Sequence, residues 1–542
     1  MSWASPGQRW TVYLLVGLCA LAVRFGYWGQ IRGTALDEWH KWDQSDMATF
    51  VEQARRLAAG DWLARKPYHP YHAWQQVASE ADWQRWYGPL SFHQAPLYSY
   101  WLAALSELRA DYLPLAKALQ LVLGACTCAL LAHLAGRMGG VAVAVVAGLC
   151  AAWYGPLYYL EPQLLREGPA VFGFLAVVLL AMRHAELPRE SPLRRLAGSA
   201  GALGLLIGAY ALFYETAAVL ALAATGVVAV HAARSSARRP TIVVAALVAG
   251  YAVGVSPLLA RNAAIGAPLS TGSSRLGINL AYCNMSSAVD GGATFRPPGP
   301  QFAQIMDASE GSTWKIAREV WRGYDGQRSL LLRNWAHRLR ALSVSAEIPD
   351  NTSYGFYRRH SSILSRSLSF RWIFPAAAAL WLVWLVEQIA ARGRRDAPVQ
   401  SEPFRLGPWL AERTRAHATL LAFTLLLALA MTVVPSQSRY RLFLVPAFIV
   451  YTSFALVAAA RWLAARQLGW AAGMAGAIAL QAAFHAWLSE PRARAEDRYM
   501  DYTVAGSIYR QRGNEAAAEE YFRRRVIGPS SDRAHEIVPD ER

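Results

Sequence analysis

No Gly-rich phosphate loop and no Asp-x-Asp pair occurs in the arginine-rich bridges of this chain, which argues against nucleotide-sugar chemistry at a cytoplasmic face. Cysteine is scarce, with five in 542 residues. Cys19, Cys126, Cys128 and Cys150 lie inside apolar runs and Cys283 stands alone in a polar region, so no disulfide framework is expected. Acidic residues are outnumbered, 37 Asp and Glu against 54 Lys and Arg, for a formal net charge of +17. In a soluble protein that excess points to nucleic acid. Here most arginines sit in short bridges between apolar blocks, where they read as topology determinants, and no nucleic-acid partner is expected. The first apolar run, near 10–26, follows the single Arg9 and lacks a small-residue cleavage site, so it reads as a retained helix.

What the chain has in quantity is apolar surface, with 54% of residues hydrophobic. Crossing the hydrocarbon takes about 20 apolar residues. Candidate spans lie near 10–27, 113–135, 138–160, 164–182, 199–213, 216–233, 241–260, 371–391, 417–435, 442–460 and 467–487. Ala95 to Leu105 is too short to cross unaided and reads as re-entrant or interfacial. The expected fold is an all-α polytopic membrane protein with about 11–13 transmembrane helices, interfacial helices in the first outer loop and a small helical C-terminal tail. The transmembrane domain covers 1–487 and the tail 488–542.

Cytoplasmic loops carry the excess of Lys and Arg. Bridges holding Arg137, Arg183 to Arg195, Arg234 to Arg239, Arg392 to Arg415 and Arg461 to Arg466 form one such set. With these inside, the chain alternates from a cytoplasmic N-terminus. The other face receives the first outer loop 28–94, the bridge around Glu161 to Glu167, Tyr214 and Glu215, the long segment 261–370, Ser436 to Arg441 and the tail. The polar residues converging there were not used to set the topology, so they support one site on that face. The Ala- and Arg-rich composition associates the expected membrane with a bacterial inner membrane.

The first outer loop opens on Asp37, Glu38, Asp43 and Asp46, and apolar residues at 47, 50, 51, 54, 57 and 58 predict an amphipathic helix along the membrane surface. Asp46 immediately precedes it, placed either to cap that helix or to serve as a general base. Tyrosines and tryptophans crowd 62–101, as an interfacial belt or as platforms for sugar rings. His69, His72 and His93 match no metal-ligand spacing, and a divalent ion held by carboxylates is compatible with the sequence without being demanded by it.

Asp46, Phe50, Ala54, Gly60, Asp61 and Trp62, followed by FHQAPLYSYWLAAL at 92–105, resemble the first loop and second membrane segment of C-type integral membrane glycosyltransferases, on the branch of protein O-mannosyltransferases and the lipid A aminoarabinose transferase. SPLLARNAAIGAPLSTGSSRLGINLAYCNM at 256–285 is similar to that family's proline and Arg-Asn signature, and EIPDN at 347–351 and SRYRLFLVP at 438–446 fit the same pattern. The likeness covers roughly 10–460. It implies a polyprenyl-phosphate sugar donor and a catalytic acid in the first outer loop, by position Asp46. This loop departs from the family in offering Asp43 and Asp46 three apart rather than an adjacent acidic pair.

The departing phosphate gains negative charge, and arginine stays ionised and grips phosphate through parallel hydrogen bonds. Arg166, Arg261, Arg275, Arg439 and Arg441 are candidates, with Arg439 and Arg441, beside Tyr440, favoured at the mouth of an apolar span. For these two, snorkelling to the headgroups is the plainer alternative. Glu161 and Glu167 flank Arg166 as acceptor-site candidates or as a local ion pair. Glu215, Asn262 and Glu347, the last with Asp350 and Asn351, complete the acceptor or sugar-binding candidates. The acceptor is a glycan, a lipid or a protein hydroxyl, and membrane lipids surround the whole. Tyr502, Gly506, Tyr509, Ala518 and Phe522 fit one tetratricopeptide-like helix pair, which must pack on the enzyme or on a protein partner to cover its apolar face. A polytopic transporter of a lipid or polar substrate is the competing class. It favours polar residues at mid-membrane and two related halves, and neither is evident in the sequence.

Overall fold

The computed structural model describes residues 4–235, 239–269, 272–287, 299–392, 404–493 and 499–525. The helices run in order as α1 Pro6–Ile31, α2 Asp46–Ala58, α3 Glu80–Tyr87, α4 Leu97–Leu108, α5 Leu113–Gly139, α6 Val141–Ala152, α7 Gly155–Tyr158, α8 Glu167–Ala185, α9 Leu193–Ala211, α10 Ala217–Arg234 and α11 Pro240–Ile265. The long segment contributes α12 Arg275–Cys283, α13 Pro300–Ser309, α14 Thr313–Arg322, α15 Arg328–Ser343, α16 Tyr354–Arg359 and α17 Ser362–Ser365. Then follow α18 Phe370–Arg392, α19 Leu406–Ala411, α20 Thr414–Ala430, α21 Ser438–Arg441, α22 Val445–Ala464, α23 Leu468–Ala493, α24 Tyr499–Gln511 and α25 Glu515–Arg525. Among the described residues there is no strand, only two isolated bridges. The chain is an all-α polytopic membrane protein.

Nine of the described helices, α1, α5, α8, α10, α11, α18, α20, α22 and α23, are long and apolar enough to cross a membrane. By length and composition alone the described residues thus give nine, against the 11 to 13 expected. The span expected at 138–160 is the 12-residue α6, a break at Trp153 and the short α7. The apolar stretch after Ala95 forms α4, 12 residues and hence about 18 Å long, too short to cross. Gly and Pro residues over 291–300 predict turns, but 291–298 lie outside the described residues, and α23 runs on past the boundary expected at 487.

The helix α9 carries Arg194 and Arg195 in its first turn, which lowers its hydropathy, yet its packing is that of a span. Gly204 and Gly208 on α9 face Gly250 and Gly254 on α11, so the two backbones touch. A Cβ on Gly254 would lie 2.7 Å from the Gly208 Cα and 2.7 Å from the Ala209 amide nitrogen. Small residues four apart allow this approach, which substitutes for the absent hydrophobic driving force between helices in lipid. Gly254→Leu is expected to force the pair apart and sharply lower folded yield and thermal midpoint in detergent. Gly226→Leu on α10, whose Cβ would meet nothing within 4 Å, should be tolerated. Equal behaviour of the two variants would refute the close-packing account.

The 19 residues of α8 separate two polar ends of the bundle by about 28 Å. Its C-terminal end lies beside Arg137, which pairs with Glu186, and Arg415, which donates to the Ala185 carbonyl at 3.2 Å. Glu167 begins the other end, where the first loop and the long segment gather.

Those two segments build a second apolar core. Trp83, Trp86 and Tyr87 of α3 pack with Ile278, Phe302, Met306, Ile316, Val320 and Tyr324, and Trp83 stacks on Phe302 at 5.3 Å. These aromatics are therefore core residues and not an interfacial belt. The apolar face of α2 is likewise covered by protein, with Phe50 against Tyr98 of α4 at 4.9 Å, rather than laid on lipid.

The hairpin α24–α25 packs on the rest of the chain. Phe522 leaves no room for a side chain at position 506, and Tyr502 meets Phe356 at 5.0 Å. Arg512 donates to Glu38 at 2.8 Å and to the carbonyls of Gly33 and Thr34 at 2.7 and 3.1 Å, fastening the tail to the start of the first loop.

Candidate active site

Ser45, not Asp46, caps α2. Its hydroxyl accepts the Ala48 amide at 3.1 Å, and Asp46 is the first helical residue. The Asp46 carboxylate is thereby released from capping, while the helix N-terminus still favours its charge. Gln94 donates to its Oδ1 at 2.9 Å. Arg439 and Asn351 donate to its Oδ2 at 2.6 and 3.0 Å, and the Asn351 Oδ1 accepts the Asp46 amide at 2.9 Å. The Arg275 guanidinium stands 3.5 Å from Oδ1. Burial alone would raise this carboxyl, but Arg275 and Arg439, with the hydrogen bonds from Arg439 and Asn351, hold it well below the usual carboxylate range.

Arg439 is the hub. Its Nε lies 2.5 Å from Asp350 Oδ2 and its Nη1 3.5 Å from Glu167 Oε1, and it donates to the Tyr440 hydroxyl at 3.2 Å. Gln437 holds the other Asp350 oxygen at 2.6 Å. Burial works against the Arg439 charge, and Asp350, Tyr440, Asp46 and Glu167 outweigh it, so the guanidinium stays firmly protonated. Arg275 is placed by backbone bonds, because Ser274 and Arg275 donate their amides to the Phe92 and His93 carbonyls at 2.9 and 3.1 Å. Its side chain keeps 22% exposure against 6% for Arg439, which makes it the more accessible cation.

The remaining expected residues sort differently. Asp43 is exposed and takes no part in the ion pairs around Asp46. Arg441 is buried, donating to the Val344 and Ala346 carbonyls at 2.6 and 3.2 Å and to Glu347 at 2.6 Å, so neither Arg441 nor Glu347 faces the cluster. Arg261 donates to the carbonyls of Leu63, Leu90 and Ala64 and to Asn262, and Asn262 donates to the Pro268 carbonyl at 3.0 Å. Arg261 thus ties α11 to the first loop, and Asn262 bonds the turn that follows α11. Arg166 pairs with neither flanking glutamate but forks onto Glu215 at 3.1 and 2.6 Å, and it stacks over Tyr214 at 4.5 Å. Glu215 also accepts the Ala95 amide at 3.0 Å, bracing the chain next to Gln94. Glu161 is spent on Arg24 at 2.9 Å, both fully buried, away from Asp46. Among the described residues no group of three or more His, Cys, Asp and Glu is arranged to hold a metal ion. The space between Asp46, Glu167 and Asp350 is filled by the Arg439 guanidinium.

Gln94 escaped sequence reasoning, because a neutral amide in a loop carries no charge or periodicity signal. Arg275 was among the arginines expected to grip phosphate and Asn351 was expected near the acceptor, and the structure brings both to Asp46.

With that geometry in view, comparison with known proteins adds little. No protein-family model and no curated protein sequence matches the chain. One solved structure that aligns is the archaeal oligosaccharyltransferase AglB from Archaeoglobus fulgidus, in complex with an inhibitory peptide and a dolichol-phosphate, at 12% identity and a TM-score of 0.39. The alignment covers 98% of this chain and 61% of that one, so this chain spans about three fifths of its length. A likeness of this degree does not define a family.

The first-loop histidines are structural. His69 bonds Gln84 and the Ser91 carbonyl, each at 2.7 Å, and His93 faces Arg275 at 3.3 Å. Burial lowers the pKa of His40 and His72 from 6.5 to about 4, and it also lowers those of His69 and His93. Each binds its proton more readily when unfolded, so its contribution is intact above about pH 6.5 and drains as pH falls towards 4. Asp46 acts in the same direction only below its unfolded value near 3.8. The thermal midpoint is therefore expected to fall between pH 6.5 and 4, and less steeply in His40→Gln/His72→Gln. An unchanged slope in that variant would remove the histidines from the account.

Proposed function

We propose that the chain is a membrane glycosyltransferase that moves a sugar from a polyprenyl-phosphate donor to an acceptor hydroxyl at the outer, non-cytoplasmic face, with Asp46 as general base. One observation carries the reading: an ionised, uncapped carboxylate is met by two guanidinium groups at the end of a bundle of membrane-spanning helices, at the level where a lipid phosphate would sit. The motifs shared with C-type glycosyltransferases point the same way, and so does the segregation of arginine bridges to the opposite end.

In the resting state the Asp46 charge is neutralised by Arg439 and Arg275. A donor phosphate competes for those guanidinium groups, Arg275 first because it is the more exposed. As they turn to the phosphate, Asp46 loses its counter-charges and its basicity rises. The acceptor hydroxyl then gives its proton to an Asp46 oxygen while its own oxygen attacks the anomeric carbon. The bond from that carbon to the phosphate oxygen breaks, and the electron pair leaves with the phosphate, stabilised by the guanidinium groups. A single displacement of this kind inverts the anomeric centre. Glu167 and Asp350 hold Arg439 in place and need not touch substrate.

The test is transfer by purified protein in liposomes, using polyprenyl phosphates bearing defined labelled sugars and a panel of glycan, lipid and peptide acceptors. Release of polyprenyl phosphate with an inverted glycosyl product is expected. Labelled solute accumulating inside sealed vesicles without cleavage of any donor would instead establish a transporter. Cysteines at 43 and 405 should label from opposite sides; labelling from one side would defeat the topology.

A further inference from the structure

The helix α15 has three faces. At about 100° per residue, Leu331, Asn334, Arg338 and Leu342 fall on one side, and all four are buried. About 120° further round lie Leu332, Ala336 and Leu339. All three are exposed, the two leucines at 60% and 51%. Next to that stripe come Arg333 and Arg340, and then His337, exposed as well. The helix has no acidic residue, and among the described residues neither Arg333 nor Arg340 enters an ion pair. Arg328 stands at the N-terminal end of the apolar stripe, its guanidinium 3.8 Å from the ring of Trp321, which is itself 53% exposed. Tryptophan is the residue type that gathers where a membrane meets water.

The buried face fixes where the helix lies. Arg338 donates to the Thr432 carbonyl, just past the last residue of the span α20, and its own carbonyl accepts the Ser436 hydroxyl at 3.2 Å. Ser436 stands three residues before Arg439, so this is the Asp46 end of α20, and Arg415 beside the Ala185 carbonyl marks the other. Immediately after α15, the Ser345 amide donates to the Ser489 hydroxyl at 2.6 Å, in the last turns of the span α23. A helix fastened to the ends of two spans lies at the depth of the lipid headgroups. Leu425 and Leu429, in the last turns of α20, are 65% and 64% exposed, as side chains facing lipid are. Leu429 is only three residues from Thr432, so the hydrocarbon reaches to within about one helical turn of α15.

We propose that α15 is an interfacial anchor on an anionic lipid surface, with Leu332, Ala336 and Leu339 entering the boundary between headgroups and acyl chains and Arg333 and Arg340 reaching lipid phosphates. The occupant is lipid because an uncovered apolar stripe sits at the level where two spans end. It is anionic because the exposed cations beside the stripe have no acidic partner. The proposal rests on the chain spanning a membrane and stands whether or not glycosyl transfer does.

The test places a dansyl-bearing amino acid, by codon suppression, at position 339 or at position 337, about 160° apart on α15. Each full chain is reconstituted one copy per nanodisc in phosphatidylcholine with or without bromine on its acyl chains, and thermal midpoints confirm folding. Quenching by bromolipid is expected to be at least roughly threefold stronger at 339 than at 337. Exchanging part of the lipid for phosphatidylglycerol should deepen the quenching at 339 by about half, and Arg333→Gln/Arg340→Gln should remove that increment. Equal quenching at the two positions, or none at 339, would overturn the proposal by leaving the stripe in water. Emission at 339 that shifts to the blue only when several copies share a liposome would assign the stripe to a second copy of the chain and overturn it equally. An increment that persists in the double variant would overturn the contact with anionic lipid.

Discussion

Asp46→Asn is expected to reduce glycosyl transfer by about 10²–10⁴-fold, the contribution typical of a positioned general base, with little change in folded yield. Two features make the variant informative. Asparagine keeps the shape of the side chain and can still accept from Asn351 or Arg439, while losing the charge that takes the acceptor proton. Ser45 retains the α2 cap, so the helix is not undone with the carboxylate. Asp43→Asn is the paired control. Its side chain is exposed and outside the cluster, and activity should stay within about twofold of wild type, as for most surface substitutions. Full activity of Asp46→Asn, or equal losses in the two variants, would remove Asp46 from the chemistry.

Arg441→Met is expected to produce the largest loss of stability. The guanidinium and its partner Glu347 have side chains only 2% and 3% exposed, and removing one member of a buried pair strands the other, at about 3–5 kcal/mol. The bonds to Val344 and Ala346 disappear with it. Those residues lead into the stretch that delivers Asp350 and Asn351 to Arg439 and Asp46, so turnover should fall as well. Arg441 is thus a positioning residue. The double variant Arg441→Met/Glu347→Gln should regain part of the lost thermal midpoint, because the uncompensated charge is gone. If Arg441 instead gripped donor phosphate, the single variant would keep its midpoint and weaken donor binding, a pattern that donor titration distinguishes.

Arg439 and Arg441 show where the sequence stops being legible. Both stand in SRYR at the mouth of a span, and both are the residue type a phosphate needs. What separates them is which groups 90 to 400 positions away fold against them, carbonyls and Glu347 for one and Asp46 for the other. Periodicity carries no such information. Long apolar helices were readable because lipid imposes a length, and Arg137 and Arg415, from two of the arginine bridges, meet at the same end of α8. The failures also have causes. Cap and first helical residue differ by one position, which left Asp46 ambiguous until Ser45 took the cap. Trp83, Trp86 and Tyr87 looked interfacial because their partners at 278–324 lie in a distant segment.

The seating of Arg512 on Gly33, Thr34 and Glu38 has a consequence for biogenesis. A chain is made and inserted from its N-terminus, so the strap that fastens the Asp46-bearing loop emerges from the ribosome some 474 residues after the loop it secures. Every earlier product can be threaded through the bilayer while the start of that loop lacks this strap. The strap forms only after residue 512 has been made, and a nonsense mutation just before codon 499 would leave the spans inserted but Gly33, Thr34 and Glu38 without it.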